Sequence, residues 1–232
     1  MTPTIHNTLV LIPARSGSKG VPKKNSKPFA GGASITERAV ILAKSIFPVE
    51  KIIVSTDDKE LQEISRNEKV LVRERPLELA NDHVGMMEVI IDAILYTQSD
   101  AAFLLLMQPT SPFREKGLIL KAMEIFQSND EAVVSVCEPS SNPYFTMFKE
   151  NNGYIEKFMN SGAVRRQDVE TIYDVNGMIY LFNISALMKA SWTEFTKIRP
   201  LVIPRWQSLD IDTEEDWWLA ETISKNYPGS SD

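Results

Sequence analysis

TLVLIPARSGSKGVPKKN, residues 8–25, is the stretch whose reading decides the fold. It opens with a nearly unbroken apolar run, the pattern of a strand covered on both faces. The run flows without a spacer into a turn rich in Gly, Ser and Lys. A buried strand that opens into such a turn is suited to holding phosphate. Gly17 and Gly20 permit backbone conformations that other residues resist, so successive N–H groups can converge on an anion. Arg15, Lys19, Lys23 and Lys24 concentrate positive charge in the same segment. Two other phosphate loops are excluded by spacing: GxxxxGK[S/T] is missing, and GSKG is not the dinucleotide GxGxxG. A solvated loop can have the same composition, so alone the stretch specifies an anion site and nothing narrower.

Outward from it, strand-like runs at 51–55, 102–107 and 132–136 alternate with helical patterns at 34–47, 58–68, 86–98 and 115–128. That order predicts a three-layer α/β/α sandwich, Rossmann-like, on a mostly parallel sheet. Ligands in such sheets bind at the carboxyl ends of strands. The turn at 14–25, Thr56-Asp57-Asp58 and QPTSPFR at 108–114 should therefore share one rim. Beyond about residue 140 the rhythm changes, and NPYF, NNGY and SGAVRRQD suggest a β-rich excursion over 140–200 within a single domain, 1–232. The chain returns through NGMIYLF (176–182) and LVIP (201–204). Thr213 is placed to cap a last helix whose first turn carries Glu214, Glu215 and Asp216, as the helix dipole favours.

The chain has 232 residues and a formal net charge of −6, a balance that argues against non-specific nucleic-acid binding. No stretch approaches the roughly 18 apolar residues of a membrane span, and MTPTIHNT lacks a signal core. The expectation is a cytoplasmic, disulfide-free protein. Cys137, in AVVSVCEP, reads as a core strand residue and not a nucleophile.

Asp210 and Asp212 are one residue apart, so on an extended segment both carboxylates face one side. Held together they call for a cation, most economically Mg²⁺ (or Mn²⁺) with substrate phosphates completing its shell; helix capping is the competing account for Asp212. Arg165 and Arg166 suit a carboxylate held in bidentate geometry, although a solvated pair reads the same way. Gln108, Thr110, Ser111 and Arg114 follow the strongest apolar run, where polar side chains would line the rim or cap a helix. Asn176 opens the strand at 176–182, where Asn-Gly also fits a turn. A basic loop, paired carboxylates and an Arg fork are together the parts of phosphoryl or nucleotidyl transfer.

These residues resemble the CMP-sialic acid synthetases, or acylneuraminate cytidylyltransferases. IPARSGSKGVPKKN, VSTDD (54–58), RPLELA (75–80), LMQPTSPFR (106–114), RRQD (165–168), NGMIY (176–180) and SLDIDTEEDW (208–217) follow the family's blocks in order, over roughly residues 8 to 222. The resemblance implies transfer of CMP from CTP to the anomeric hydroxyl of an acidic nine-carbon α-keto acid sugar, with release of pyrophosphate. By position it implies Arg15, Ser18, Lys19, Gly20, Asn25, Arg75 and Ala80 as nucleotide contacts, with Arg15, Lys24 and Asp212 catalytic. Gln108, Thr110, Asn176 and Tyr180 match its sugar site, Arg166 the residue that faces the sugar carboxylate, and Asp210 with Asp212 its metal ligands. It further implies a nucleotidyltransferase fold and a homodimer formed through the excursion. Trp192 and Phe195 fall near positions that enter a neighbour's sugar pocket, with core packing as the alternative. NDHVGMME after RPLELA departs from the family's small hydroxyl residues at Gly85 and Met86. NPYFTMFK (142–149) also departs, which points to a legionaminic- or pseudaminic-type sugar. A nucleotide-sugar-binding protein without turnover is the alternative from another class; the intact pair Asp210 and Asp212 argues against it.

Overall fold

All six residues of β1 (Thr8–Pro13) are buried, because the strand lies between two apolar layers. Val10 and Ile12 face one core, where α1 (Ile35–Lys44) contributes Ala39, Val40 and Ala43. Leu9 and Leu11 face the other, against Ile90 and Ala93 of α3 (Met86–Thr97). Alternate residues of one strand thus pack against helices on opposite faces. This computed structural model describes residues 1–81 and 83–226, and for Arg166 the backbone alone.

The other elements are β2 (Ile52–Thr56), α2 (Lys59–Asn67), β3 (Leu71–Glu74), β4 (Phe103–Leu106), α4 (Lys116–Ile125), β5 (Ala132–Cys137), β6 (Phe148–Asn151), β7 (Tyr154–Lys157), β8 (Asp174–Asn183), α5 (Ile184–Leu187), β9 (Ile198–Val202) and α6 (Glu214–Asn226). The main sheet runs β3-β2-β1-β4-β8-β5-β9. It is parallel except at β8, which pairs antiparallel with both β4 and β5. Helices on both faces make the three-layer sandwich expected from the sequence. Cys137 is buried at the end of β5, as expected.

The local signals that set these elements can be read directly. Ser34 caps α1 through the Glu37 N–H, while the Glu37 carboxylate accepts from the Ser34 N–H. Such a box stabilises a helix start by about 1 kcal/mol. Asp58 does the same for α2 through the Glu60 N–H. Thr213 and Asp216 form a reciprocal pair at the start of α6, as its sequence predicted.

Three details differ from the expectation. The last strand occupies 198–202 and not 201–204, because β5 provides parallel partners from Ile198 onward. The short strand β3, with no buried residue, escapes a reading based on apolar runs. Within 140–200 only β6 and β7 form a sheet of their own, and β8 belongs to the main sheet. A third, smaller apolar cluster joins Val21, Phe29, Ile211 and Trp217, and so packs α6 beneath the turn that follows β1. Phe29 and Trp217 meet edge to face with centroids 5.4 Å apart.

Candidate active site

The turn after β1 is held in place at both ends. At its start, the Ser16 N–H and hydroxyl donate to the Asp57 carboxylate at 2.8 and 2.5 Å, tying the turn to the end of β2. At its far end the Lys24 ammonium donates to the Ile211 carbonyl and, at 3.1 Å, to Asp212 Oδ1. Asn25 Nδ2 donates back to the Arg15 carbonyl at 2.9 Å, closing the turn on itself.

Gly20 explains why the turn needs a glycine, though not as its sequence suggested. Neither Gly17 nor Gly20 has a positive φ; the left-handed residue of the turn is Lys23 (φ 53°). A Cβ on Gly20 would instead fall 1.8 Å from the Asp212 carbonyl oxygen, whereas one on Gly17 would meet nothing within 4 Å. The glycine is required by close approach of two backbones, and that approach joins the basic turn to the Asp-Ile-Asp segment.

A cavity of about 360 Å³ lies at this junction. Arg15, Ser18, Lys19, Gly20, Lys24 and Asn25 line it from the turn. Arg75 enters from beyond β3, Gln108 and Thr110 from beyond β4, and Asp210 and Asp212 from the segment before α6. A second cavity, of about 730 Å³, is lined by Asn176, Gly177 and Tyr180 of β8 together with Gln108 and Asp210. Gln108 and Asp210 thus belong to both walls. The strand-end rim expected from the sequence exists, and it divides into two compartments with a shared border.

The charges there are arranged unevenly. Burial pushes the Asp210 carboxyl above its ordinary range and the neighbouring Asp212 charge pushes the same way, while a Thr110 hydrogen bond and Lys24 pull back. Asp210 Oδ1 is buried without a hydrogen-bond partner among the described residues. Asp212, by contrast, has a side chain 75% exposed. The Arg75 guanidinium is pushed down to about 10 by burial, against the pull of Asp57. It donates to the Ser55 hydroxyl at 3.1 Å and carbonyl at 2.8 Å. Arg75 therefore stays charged at neutral pH, and with Lys24 it lines the cavity.

Four expectations about side chains change. Ser111 and Arg114 are buried and not on the rim. Arg114 donates to the Met178 carbonyl at 2.7 Å and to the Gln108 carbonyl at 2.6 Å, a strut behind the shared border. Burial lowers it to about 9, which Asp210 opposes. Asn176 lines the second cavity, but its amide is already engaged: Oδ1 accepts from the Ser135 hydroxyl at 2.6 Å and Nδ2 donates to Ser208 Oγ at 2.9 Å. That contact sits at the irregularity in β5 between Val134 and Val136, where the strand must accommodate β8. Ala80 ends a short turn, its N–H donating to the Leu77 carbonyl, and lines neither cavity.

Arg166 opens a 3-10 turn to Asp168, and its side chain lies outside the described residues. Arg165 pairs in bidentate geometry with Asp168 at 2.9 and 3.0 Å, an exposed local contact. Trp192 and Phe195 pack against Phe182, with centroids 6.5 and 6.3 Å away, on the same core as Leu9. Core packing is the role these contacts support. Burial raises the Tyr180 phenol, with Asp210 adding to the effect, so its hydroxyl remains protonated and able to donate. The sequence reading gave no role to Asp57 or Met86. Asp57 was visible only as a strand-end residue, and Met86, noted as a departure from the family pattern, lines the first cavity.

The family model described as cytidylyltransferase matches residues 9–199. The chain is 34% identical over 228 residues to CMP-N,N'-diacetyllegionaminic acid synthase of Legionella pneumophila, covering 93% of this chain and 95% of that protein. It is 31% identical over 212 residues to N-acylneuraminate cytidylyltransferase of Streptococcus agalactiae, covering 90% of this chain and 51% of that protein, so it spans about half the length of that relative. Among solved structures, CMP:2-keto-3-deoxy-manno-octonic acid synthetase complexed with CTP matches with a TM-score of 0.64 at 15% identity, over 95% of this chain and 99% of that one. That last likeness is one of fold.

Proposed function

Since the chain belongs to the cytidylyltransferase family, we propose that it transfers CMP from CTP to the anomeric hydroxyl of a nine-carbon α-keto acid sugar and releases pyrophosphate. The observation that carries this reading is the shared border. A basic compartment sized for a nucleotide and a larger compartment meet at Gln108 and Asp210, where a hydroxyl from one side would face a phosphorus from the other. In the reaction an oxygen–phosphorus bond forms at the α-phosphorus as the bond to the β-phosphate oxygen breaks. Pyrophosphate leaves with the electron pair, and the hydroxyl loses its proton.

The residues of the chain contribute mainly position and charge. Arg15, Lys19, the Ser18 side chain and the Gly20 amide would hold the triphosphate, with Lys24 beside it and Asn25 and Arg75 toward the nucleoside. Gln108, Thr110 and Tyr180 would orient the sugar. Asn176, with its amide engaged, would act on the sugar by holding the wall of its compartment.

A divalent cation, Mg²⁺ or Mn²⁺, fits Asp210 and Asp212. The unpartnered, buried Asp210 Oδ1 beside an exposed second carboxylate is a donor set for a hard cation. No cluster of three or more His, Cys, Asp or Glu ligands occurs among the described residues, so phosphate oxygens would supply much of the shell. When bound, the metal would offset charge on the phosphates. Lys24 holds Asp212 in its place and would turn toward phosphate when the cation arrives.

Among candidate sugars, the 34% identity to a diacetyllegionaminate enzyme favours a legionaminic-type acid, destined for a surface polysaccharide. Homodimerisation is also proposed, through the excursion around β6 and β7, where Tyr154, Ile155 and Val164 are 80%, 72% and 89% exposed. Apolar side chains left open in this way fit a second copy. CTP is a cytoplasmic nucleotide, and no described helix is long and apolar enough to cross a membrane; we place the enzyme in the cytoplasm.

The test is pyrophosphate release with CTP and Mg²⁺ against N-acetylneuraminic, N,N'-diacetyllegionaminic, pseudaminic and Kdo acids. Release with a nine-carbon acid supports the reading and names the substrate. Release with Kdo alone, or with none of the four while CTP binds, overturns it.

A further inference from the structure

Resting on that reading, we propose that Asp57 is a positioning residue for CTP, clamping the exposed opening of the basic turn from outside the nucleotide compartment. The turn needs such a clamp. Ser16 and Gly17 are exposed, and a Cβ on Gly17 would meet nothing within 4 Å, so packing does not hold this part of it. Charge works against its closure as well. Arg15, Lys19, Lys23 and Lys24 crowd into the segment, and Arg75 shares the compartment with them. Like charges held this close repel one another.

Asp57 answers both needs. Its Oδ1 accepts from the Ser16 N–H at 2.8 Å and its Oδ2 from the Ser16 hydroxyl at 2.5 Å, so one carboxylate fixes main chain and side chain together. Bonds to an ionised acceptor are roughly twice as strong as neutral ones. Burial lowers the Arg75 guanidinium; Asp57 opposes that, Arg15 adds to it, and Asp92 opposes it again. Asp57 itself lines neither compartment. It therefore offsets the cations from behind the wall, whereas a carboxylate inside would repel the triphosphate. Its support is rigid on both sides, because Thr56 ends β2 and Asp58 caps α2. The same strand end receives the Ala14 N–H at the Ser55 carbonyl and the Arg75 N–H at the Thr56 carbonyl, both at 2.9 Å. Ser55, Thr56 and Asp57 thus hold the turn and Arg75 at a fixed separation, and Asp57 extends that hold past Ala14 into the turn.

Calorimetric titration with CTP and Mg²⁺ in the absence of sugar, together with steady-state pyrophosphate release, tests the proposal. Asp57→Ala should raise the CTP Kd about tenfold or more, as for loss of a charge-assisted contact, while the sugar KM at saturating CTP stays within about twofold. Ser16→Ala, which keeps the N–H contact, should raise the CTP Kd about threefold. Asp57→Asn, which keeps an acceptor for that N–H, should recover part of the Asp57→Ala loss. Combining Ser16→Ala with Asp57→Ala should do no more harm than Asp57→Ala alone, because both remove the same clamp. A general structural defect would raise the CTP and sugar constants together, and unconnected roles would give additive losses. Either result overturns the proposal, as does wild-type CTP affinity in Asp57→Ala. If Asp57→Ala does not fold, wild-type affinity in Ser16→Ala overturns it alone, since that side chain is exposed. CTP binding that depends on Asp57 without turnover of any sugar acid would overturn the proposed reaction and leave Asp57 in its role. Absence of CTP binding by the wild type would overturn both.

Discussion

Replacing Gly20 by Ala tests the central geometric claim, that the basic turn and the Asp-Ile-Asp segment must touch backbone to backbone. The added Cβ would lie 1.8 Å from the Asp212 carbonyl oxygen and 3.0 Å from its carbon. A carbon–oxygen contact needs roughly 3.3 Å, so the two backbones must separate by roughly 1.5 Å. Neither partner is the tip of a flexible side chain that could swing aside. Separation pulls Lys24 from Asp212, now 3.1 Å away, and moves the turn relative to Gln108 and Thr110. Overpacking of this kind costs about 1–3 kcal/mol of stability. Misplacing a reacting group by about 1 Å costs on the order of a hundredfold in rate, so kcat/KM for CTP should fall by about that factor. Gly17→Ala, in the same turn, meets nothing within 4 Å and has no positive φ, so its kcat/KM should stay within about threefold of wild type. Both variants are assayed by pyrophosphate release over a range of CTP concentrations, with thermal unfolding alongside. Equal activity of the two variants would refute the reasoning, because it would show that the close approach does not set the site.

Asp212→Ala should lower kcat by at least about a hundredfold in saturating Mg²⁺ while shifting unfolding by less than about 1 kcal/mol, since the side chain is exposed; near-normal turnover would remove Asp212 from the metal site. Gly177→Ala adds a Cβ 2.8 Å from Gln108 Oε1 at a position with φ +75°, so about 1–3 kcal/mol of strain should appear as lost stability and a raised sugar KM. A stability loss without any change in sugar KM would mean that Gln108 does not touch the sugar. Asp130 is nearly buried, and its carboxyl is held below the ordinary range: burial acts upward, but Arg199 at 2.7 and 3.0 Å and the Gln127 N–H outweigh it. The group is depressed in the folded state, so its stabilisation is full above the unfolded carboxylate range and is lost as pH falls through the folded value. Asp130→Asn should therefore cost about 1–3 kcal/mol near neutrality in urea unfolding, with the difference from wild type shrinking below about pH 4. A difference that does not depend on pH would show that the charge of Asp130 is not what joins β5 to β9.

The parts of this molecule that were legible in its sequence are those set by neighbours in the chain. β1 could be read because both of its faces are buried, which leaves no polar alternation. The start of α6 could be read because Thr213 bonds within three residues, as Ser34 and Asp58 also do at the starts of α1 and α2. Asp210 and Asp212 could be paired because a strand repeats every second residue. The antiparallel entry of β8 between β4 and β5 was not legible, since it depends on partners far away in sequence, such as Leu106 with Tyr180. The burial of Arg114 was hidden for the same reason. A charged residue after a strand reads as rim, and only the carbonyls of Gln108 and Met178, brought together by that sheet order, give it a reason to be inside. Asn176 was placed at the right wall for a different reason than its neighbours supplied, because its partners Ser135 and Ser208 lie on other strands and turns.

The placement of charge explains how a chain of net charge −6 can hold a triphosphate. The cations that matter are not a surface field but a graded set. Arg114 lies beneath the border of the two compartments and Arg75 beneath the nucleotide compartment, each fixed by hydrogen bonds to protein oxygens. Lys24 is nearly buried and tethered to the Ile211 carbonyl, and Arg15 and Lys19 line the opening. Buried cations keep their field in salt that would screen an exposed patch, and fixed ones need no reorganisation as charge moves from the α-phosphate to the leaving pyrophosphate. They would also offset part of the charge that gathers where the two carboxylates, Asp210 and Asp212, stand together. The acidic exterior then works in favour of selectivity: an anion is repelled by the surface in general and accepted only where the basic turn, its glycine contact and the strand-end arginines converge.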